Sequence, residues 1–219
     1  MILYDYWRSS SAWRVRIGLH YKQIAFERRV VNLAKEGGGE QHAPEFQAVN
    51  PMRQVPVLEV EEGGARRTLA QSLAILTYLE ARFPSPPLLP ADPWPRARAL
   101  QLAEMVNAGI QPMQNLALHQ HLRSQGIADP PAFSRHFIAR GLEALEAAAR
   151  ETAGTFLIGD APTIADVYLV PQLYGARRFG APVEGFPTLL RAEAACGALP
   201  AFAAAHPDVQ TDAVPAPKA

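Results

Sequence analysis

A mixed α/β domain followed by an all-helical domain is the fold class this sequence predicts. Three observations carry it. The first eighty or so residues alternate strand and helix signals, a proline-crowded stretch follows, and the remainder is rich in alanine, leucine and arginine with helical periodicity almost throughout. The expected division is an α/β domain over 1–83, a semi-rigid linker over 84–95, and a helical domain over 96–219 whose last nine residues form a loose tail.

Residues 2–6 read as a strand and 11–21 as a helix, with Val15, Ile17, Leu19 and Tyr21 on its buried side. Arg14 and Arg16 are two apart and cannot share a helix face, so at least one is expected to meet water. Strands follow at 26–31, 55–60 and 67–69, the last two joined by a Gly63-Gly64 turn. Gly37-Gly38-Gly39 lacks both the phosphate-loop lysine and the dinucleotide fingerprint and reads as a plain loop. A helix starts at Ser72, buries Leu73, Ile75, Leu76 and Leu79, and must end before Pro84. In the second domain one long helix over 97–122 is expected to bend at Gly109 and Pro112. Thr163-Ile-Ala-Asp166 has the spacing of a capping box, a structural device.

Composition excludes several functions. Lys plus Arg and Asp plus Glu both number 21, so no basic excess points to nucleic acid. No apolar run reaches the roughly 18 to 20 residues of a membrane span, and the start lacks a basic segment before an apolar core, which predicts a cytoplasmic protein. His119 and His121 are two apart with no carboxylate or thiol cluster to join them, so no metal is expected. Cys196 is the single cysteine, leaving no disulfide or paired-cysteine redox motif.

Chemistry concentrates at residues 7–17, where Ser9, Ser10 and Ser11 stand at a strand-to-helix junction. A serine there can cap free N–H groups, and the helix start with its hydroxyls also favours an adjacent anion such as a thiolate. Capping alone is the simpler reading. With one distant cysteine, a thiol used here must come from elsewhere.

Five motifs add to this: Arg8-Ser-Ser-Ser-Ala-Trp-Arg-Val-Arg-Ile17, Asn50-Pro-Met-Arg-Gln-Val-Pro56, Gln71-Ser-Leu-Ala-Ile75, Gly109-Ile-Gln-Pro-Met-Gln-Asn115 and Val170-Pro-Gln172. In order and spacing they resemble the zeta class of glutathione transferases, the maleylacetoacetate isomerases, over nearly the whole chain. The resemblance implies a thioredoxin-like N-terminal domain followed by a helical-bundle C-terminal domain, glutathione as cofactor, and a homodimer. The clearest departure is Ser11, where many members of the class carry cysteine.

The same resemblance implies the site. Ser9, Ser10 and Arg8 are the expected catalytic residues, Ser9 as donor to the glutathione sulfur. Ser11, Ala12, Trp13, Arg14, Gln41, Val55, Pro56, Gln71, Ser72, Gln111, Asn115, Leu116 and Ala117 join Ser9 and Ser10 around the peptide or the substrate pocket. These positions suit a small anionic tripeptide. Val55-Pro56, with Pro56 expected to be cis, can pair with it as an added strand, and Gln71-Ser72 can receive a carboxylate at a helix start. Simpler roles are an edge-strand proline, helix capping at Gln71 and Ser72, and a solvated helix face for Gln111 and Asn115. Arg8 and Arg178 are the candidates for substrate carboxylates, since arginine is a planar donor that stays charged, with Arg177 as the alternative to Arg178.

The implied reaction is glutathione-dependent cis–trans isomerisation of maleylacetoacetate in tyrosine and phenylalanine breakdown: a thiolate adds to the alkene, the resulting single bond rotates, and elimination restores the trans alkene. A thiol with pKa near 8.5 is only a few per cent ionised at neutral pH, hence the need for hydroxyl and helix-start donors. Alternatives are maleylpyruvate isomerisation, broad transferase or dehalogenase activity, and a non-catalytic binding module. Maleylpyruvate enzymes are expected to carry histidine and arginine where this chain has Gln111 and Ala117.

Overall fold

The computed structural model of the chain describes residues 1–36 and 38–214. It contains two compact units, one of 1–87 together with the chain from Pro200 onward, the other Leu88–Leu199.

The first unit is built on β1 (Ile2–Asp5), α1 (Ser10–Tyr21), β2 (Glu27–Val30), α2 (Pro44–Val49), β3 (Val57–Glu62), β4 (Ala65–Ala70) and α3 (Ser72–Arg82). Strand order is β2-β1-β3-β4, with β2 parallel to β1 and both hairpin strands antiparallel, Tyr4 facing Val57 and Val57 facing Ala70. Side chains alternate across the sheet, so consecutive residues feed two cores. Leu3, Leu58 and Val60 meet Val15, Leu19, Ile75 and Leu79 from α1 and α3 on one face. Tyr4 and Val57 meet Phe46 of α2, with Tyr6, Trp7, Ala12 and Val55, on the other. The β3–β4 turn uses positive φ at Gly63 and Gly64, 62° and 75°, as a tight hairpin requires. Val55–Pro56 is cis.

The end of the chain departs from expectation. Rather than joining the helical domain and trailing off, α9 (Pro200–Ala205) belongs to the first unit and packs on α1. Arg16 Nε donates to the Ala205 carbonyl at 3.1 Å, and the Trp13 ring meets His206 edge-on at 5.2 Å between centroids. Asp212 is anchored by Trp7 N and Arg28. Residues 215–219 of the expected tail lie outside the described residues, as does Gly37 of the glycine loop, where Gly38 and Gly39 take φ of 116° and 89°. Because α1 is covered by α9 as well as by the sheet and α3, every residue from Ala12 to Leu19 is buried. The expectation that Arg14 or Arg16 faces water fails for this reason: both are fully buried. Tyr21 is only half-buried.

The second unit holds α4 (Pro93–Gly109), α5 (Leu116–Ser124), α6 (Pro130–Ala149), α7 (Ile164–Arg178) and α8 (Pro187–Gly197). Pro93 and Pro95, expected in the linker, lie in the first turn of α4, where a missing N–H costs nothing and Asp92 caps the Trp94 amide at 3.3 Å. The expected long helix is broken rather than bent. A 3-10 turn at Gln111–Gln114 and extended backbone at Asn115, φ −64° and ψ 139°, separate α4 from α5, and Pro112, which has no N–H, cannot continue the α-helical hydrogen-bond ladder there. The capping box of α7 is present: Asp166 Oδ2 accepts from Thr163 N at 2.8 Å and Thr163 Oγ1 at 3.0 Å, and Oδ1 accepts from Leu157 N at 2.9 Å. Burial nevertheless raises the Asp166 pKa to about 6 against those hydrogen bonds. Glu146 of α6 serves the start of α8 similarly, accepting from the amides of Thr188 and Leu189, both at 3.1 Å.

Candidate functional site

The turn between β1 and α1 is held at every step. Ser9 N donates to the Tyr6 carbonyl at 2.9 Å, the Ser9 carbonyl accepts from Trp13 N at 2.8 Å, and Ser9 Oγ accepts from Ala12 N at 3.3 Å. Ser9 is therefore the N-cap, in extended conformation, one residue earlier than the predicted helix start required. With its oxygen accepting from the helix, the hydroxyl proton is left to donate outward. The N–H groups of Ser10 and Ser11 precede Trp13 N, the first intrahelical donor, so they add donors at the positive end of α1. All three serines are half-buried, while Arg8 is exposed with its guanidinium 5.2 Å from the Trp7 ring centroid. Capping and donation to an anion are compatible roles of one hydroxyl.

Two other segments come to this turn. Val55 packs in one core cluster with Tyr6, Trp7 and Ala12, which brings the Val55–Pro56 turn beside the start of α1. Arg14 Nη1 donates to Ser72 Oγ at 3.3 Å, joining α1 to the first turn of α3. Gln71, exposed and just before α3, has φ of 73° and ψ of 118°, a strained conformation for a residue with a Cβ that costs on the order of 1 to 3 kcal/mol. Backbone strain of this kind clusters at ligand-binding and active sites. Ala12, Trp13 and Arg14 are buried behind the turn, so their side chains support the site from within. Gln41 is also buried and donates from Nε2 to the Gly38 carbonyl at 3.2 Å, while its Oε1 has no partner.

In the second unit the expected residues fall on the broken helix. Gln111 Nε2 donates to Asn115 Oδ1 at 2.7 Å, which links the two ends of the 3-10 turn rather than leaving them on a solvated helix face. Leu116 and Ala117 open α5 and are exposed. Arg178 ends α7 with its guanidinium 4.9 Å from the Phe179 ring centroid, and that ring meets His119 of α5 edge-on at 5.4 Å. The end of α7 thus lies near α5. Arg177 is instead paired with Glu193, Nη1 to Oε1 at 2.6 Å.

Sequence reading missed His119 as a packing group. Its Nε2 lies 2.6 Å from Ser134 Oγ, which itself donates to the Met113 carbonyl at 2.6 Å. Burial first, then Arg123 and Arg178, lower its pKa, so it is neutral near pH 7. Also missed was a buried charge cluster behind the serine turn. Asp5 binds Arg16 Nη1 at 2.7 Å and Arg28 Nε at 2.6 Å, and Arg28 Nη2 binds Asp212 at 2.8 Å. An acidic residue ending an otherwise apolar strand was the available signal. Among the described residues no group of three or more His, Cys, Asp or Glu side chains could hold a metal ion, and no helix is long and apolar enough to cross a membrane.

A sheet of this order with helices on both faces, a helical second unit, and a serine-rich helix start define a glutathione transferase architecture. Residues 8–82 match the glutathione S-transferase N-terminal domain, and residues 138–210 match the glutathione S-transferase C-terminal domain. The chain belongs to the glutathione S-transferase family.

Its relatives are more particular. A crystal structure of maleylacetoacetate isomerase from Anaeromyxobacter dehalogenans with glutathione bound in the active site is 57% identical, with a TM-score of 0.89 over 97% of each chain. The same enzyme has been solved with dicarboxyethyl glutathione and citrate in its active site. A probable maleylacetoacetate isomerase of Vibrio cholerae is 44% identical over 97% of this chain and 98% of its own. A bacterial zeta-class maleylpyruvate isomerase is 40% identical, with a TM-score of 0.90 over 98% of this chain and 100% of its own.

Proposed function

We propose that this chain is a glutathione-dependent cis–trans isomerase converting maleylacetoacetate to fumarylacetoacetate. The observation that carries the reading is Ser9: a hydroxyl fixed by its own helix, flanked by the N–H groups of Ser10 and Ser11, makes an anion site suited to a thiolate. When bound, glutathione supplies a thiolate that adds reversibly to the alkene and so permits rotation. The chain's part is to hold that thiolate, orient the tripeptide and bind the substrate carboxylates. Ser9 donates to the sulfur, with Ser10 and Ser11 in support. Val55 offers backbone pairing, and Gln71 with Ser72 receives a carboxylate. Ala12, Trp13 and Arg14 fix the turn, and Gln41, Gln111, Asn115, Leu116 and Ala117 complete the surroundings of peptide and substrate.

Arg8 and Arg178 take the substrate carboxylates: both are exposed cations, and Arg178 stands at the end of α7 beside Phe179, whose ring meets His119 of α5. That a relative holds a glutathione bearing two extra carboxylates supports a dicarboxylate substrate. The protein acts in the cytoplasm as a homodimer, in tyrosine and phenylalanine breakdown. A single assay tests the core of this: purified protein is offered maleylacetoacetate with and without glutathione, and fumarylacetoacetate is expected only with it.

Maleylpyruvate isomerisation is the second reading, favoured by the 40% identical relative. Gln111 and Ala117 stand against it, because that activity is expected to use histidine and arginine there. Both substrates run in parallel decide the matter through kcat/KM. Sedimentation tests the dimer, and a species of about 24 kDa alone at micromolar concentration contradicts it.

A further inference from the structure

We infer that Asp212, near the end of the chain, is a positioning residue that sets the Trp7–Ser9 turn and through it the hydroxyl of Ser9. The inference rests on the reading of Ser9 as the thiolate donor. Trp7 lies beyond β1, so no sheet partner holds its peptide groups, and both are taken by charged side chains instead. Its N–H donates to Asp212 Oδ2 at 3.0 Å, and its carbonyl accepts from Arg16 Nη2 at 2.8 Å. Those two side chains belong to one chain of alternating charge, Asp212–Arg28–Asp5–Arg16, with contacts of 2.8, 2.6 and 2.7 Å. Asp5 and Arg16 are wholly buried, and Arg28 and Asp212 keep only 16% and 14% of their side chains exposed. Two cations and two anions balance.

Asp212 is the one member that comes from outside β1, α1 and β2. It is brought there because α9 packs on α1 and Ala213 packs against the cluster containing Tyr6, Trp7 and Ala12. Only Arg8 separates Trp7 from Ser9, and the Ser9 amide is tied back to the Tyr6 carbonyl at 2.9 Å, so a shift at the Trp7 peptide moves the cap. Hydrogen bonds to a charged group are stronger and more directional than neutral ones, which suits a carboxylate to this task. Position and charge predict opposite signs. Taking away the Asp212 charge would by Coulomb's law alone favour a nearby thiolate and lower the bound thiol pKa. Loosening the Ser9 donor would raise it.

The test is a pH titration of the ultraviolet absorbance of bound glutathione thiolate in the wild-type protein, Asp212→Asn and Ser9→Ala, with kinetics alongside. Asp212→Asn is expected to raise the bound thiol pKa by about half to one pH unit and to lower kcat at pH 7 about three- to tenfold. KM for the dicarboxylate should stay near wild type, and kcat should recover at alkaline pH, which a loss of folded protein would not produce. Trp7 should exchange its amide hydrogen slowly in the wild-type protein and at least about tenfold faster in the variant, since its protection depends on one hydrogen bond. If Asp212→Asn folds poorly, Asp212→Glu carries the test, because it keeps the charge but displaces it by one methylene and is expected to raise the pKa by a smaller amount. A raised pKa in Ser9→Ala with an unchanged or lowered one in the Asp212 variants overturns the inference alone, as does a Trp7 amide that exchanges freely in the wild-type protein. An unperturbed bound thiol in the wild-type protein, or an unchanged pKa in Ser9→Ala, overturns instead the assignment of Ser9 on which the inference stands.

Discussion

Arg14 and Ser72, 58 residues apart in sequence, are joined by a buried hydrogen bond of 3.3 Å from Nη1 to Oγ that ties α1 to the first turn of α3. The helix start proposed to hold the glutathione sulfur and the one proposed to receive its carboxylate thus share one strut. Arg14→Met keeps the length and apolar stem of the side chain and removes the donor. It is expected to weaken glutathione binding about tenfold, roughly 1.4 kcal/mol, while the bound thiol pKa changes less. Calorimetric titration with glutathione and the thiolate titration read the two effects separately.

Ser9→Ala removes the cap and the outward donor together. Losing a hydrogen bond to a charged group, about 1.5 to 3 kcal/mol, is expected to raise the bound thiol pKa by about one to two pH units and to cut turnover at neutral pH about tenfold or more. Glutathione affinity should fall less, because Val55, Gln71 and Ser72 still hold the peptide. Ser11→Ala should be milder. A raised pKa in Ser10→Ala with none in Ser9→Ala would move the role to Ser10.

The arginines separate from the serines by what they bind. Arg8→Ala and Arg178→Ala should each raise KM for the dianionic substrate, by roughly 1 to 3 kcal/mol in binding, and leave the thiol pKa less changed. Arg177→Ala should alter KM little, since it removes an exposed pair with Glu193 of the kind worth about 1 kcal/mol or less. Steady-state kinetics on all three variants checks this.

Cys196 is fully buried in α8, and burial raises its thiol pKa well above the ordinary range. Isomerisation should therefore need added glutathione and survive Cys196→Ala, with a loss of stability of about 1 kcal/mol. Full activity in glutathione-free wild-type protein would refute the borrowed-thiol reaction.

Asp166 should give an unusual pH dependence of stability. Burial raises its pKa to about 6 in the folded protein, against about 3.9 for an unfolded aspartate, so between those values the folded state binds the proton more tightly. Its contribution is greatest below about pH 4 and is lost as pH rises through about 6, by at most about 3 kcal/mol. Denaturant unfolding of the wild-type protein and Asp166→Asn across pH 4 to 7 should show the wild type losing ground relative to the variant over that window.

Local pattern in the sequence was enough for the alternation of elements in the first unit, the Gly63–Gly64 hairpin, the Thr163–Asp166 cap and the serine-rich helix start, because each depends on residues within a few positions of one another. The helix start at Ser72 was legible for the same reason. The break at Gln111–Asn115 was half legible: Pro112 marked the place, but whether a helix bends or stops there depends on what its neighbours pack against.

Only the tertiary structure decided the fate of Arg14, Arg16 and Asp212. Periodicity on a helix says which residues share a face, and it assumes that one face meets water. Once α9 covers the outer side of α1, both arginines are buried whichever way they point, and each must find partners brought from elsewhere: Ser72 for Arg14, and Asp5, Trp7 and Ala205 for Arg16. A buried charge costs several kcal/mol unless it is paired, so these contacts are obligatory in the folded protein, yet Arg16 and Ala205 lie 189 residues apart. No local signal encodes a pairing over that distance; it exists because folding brings the end of the chain back to its beginning.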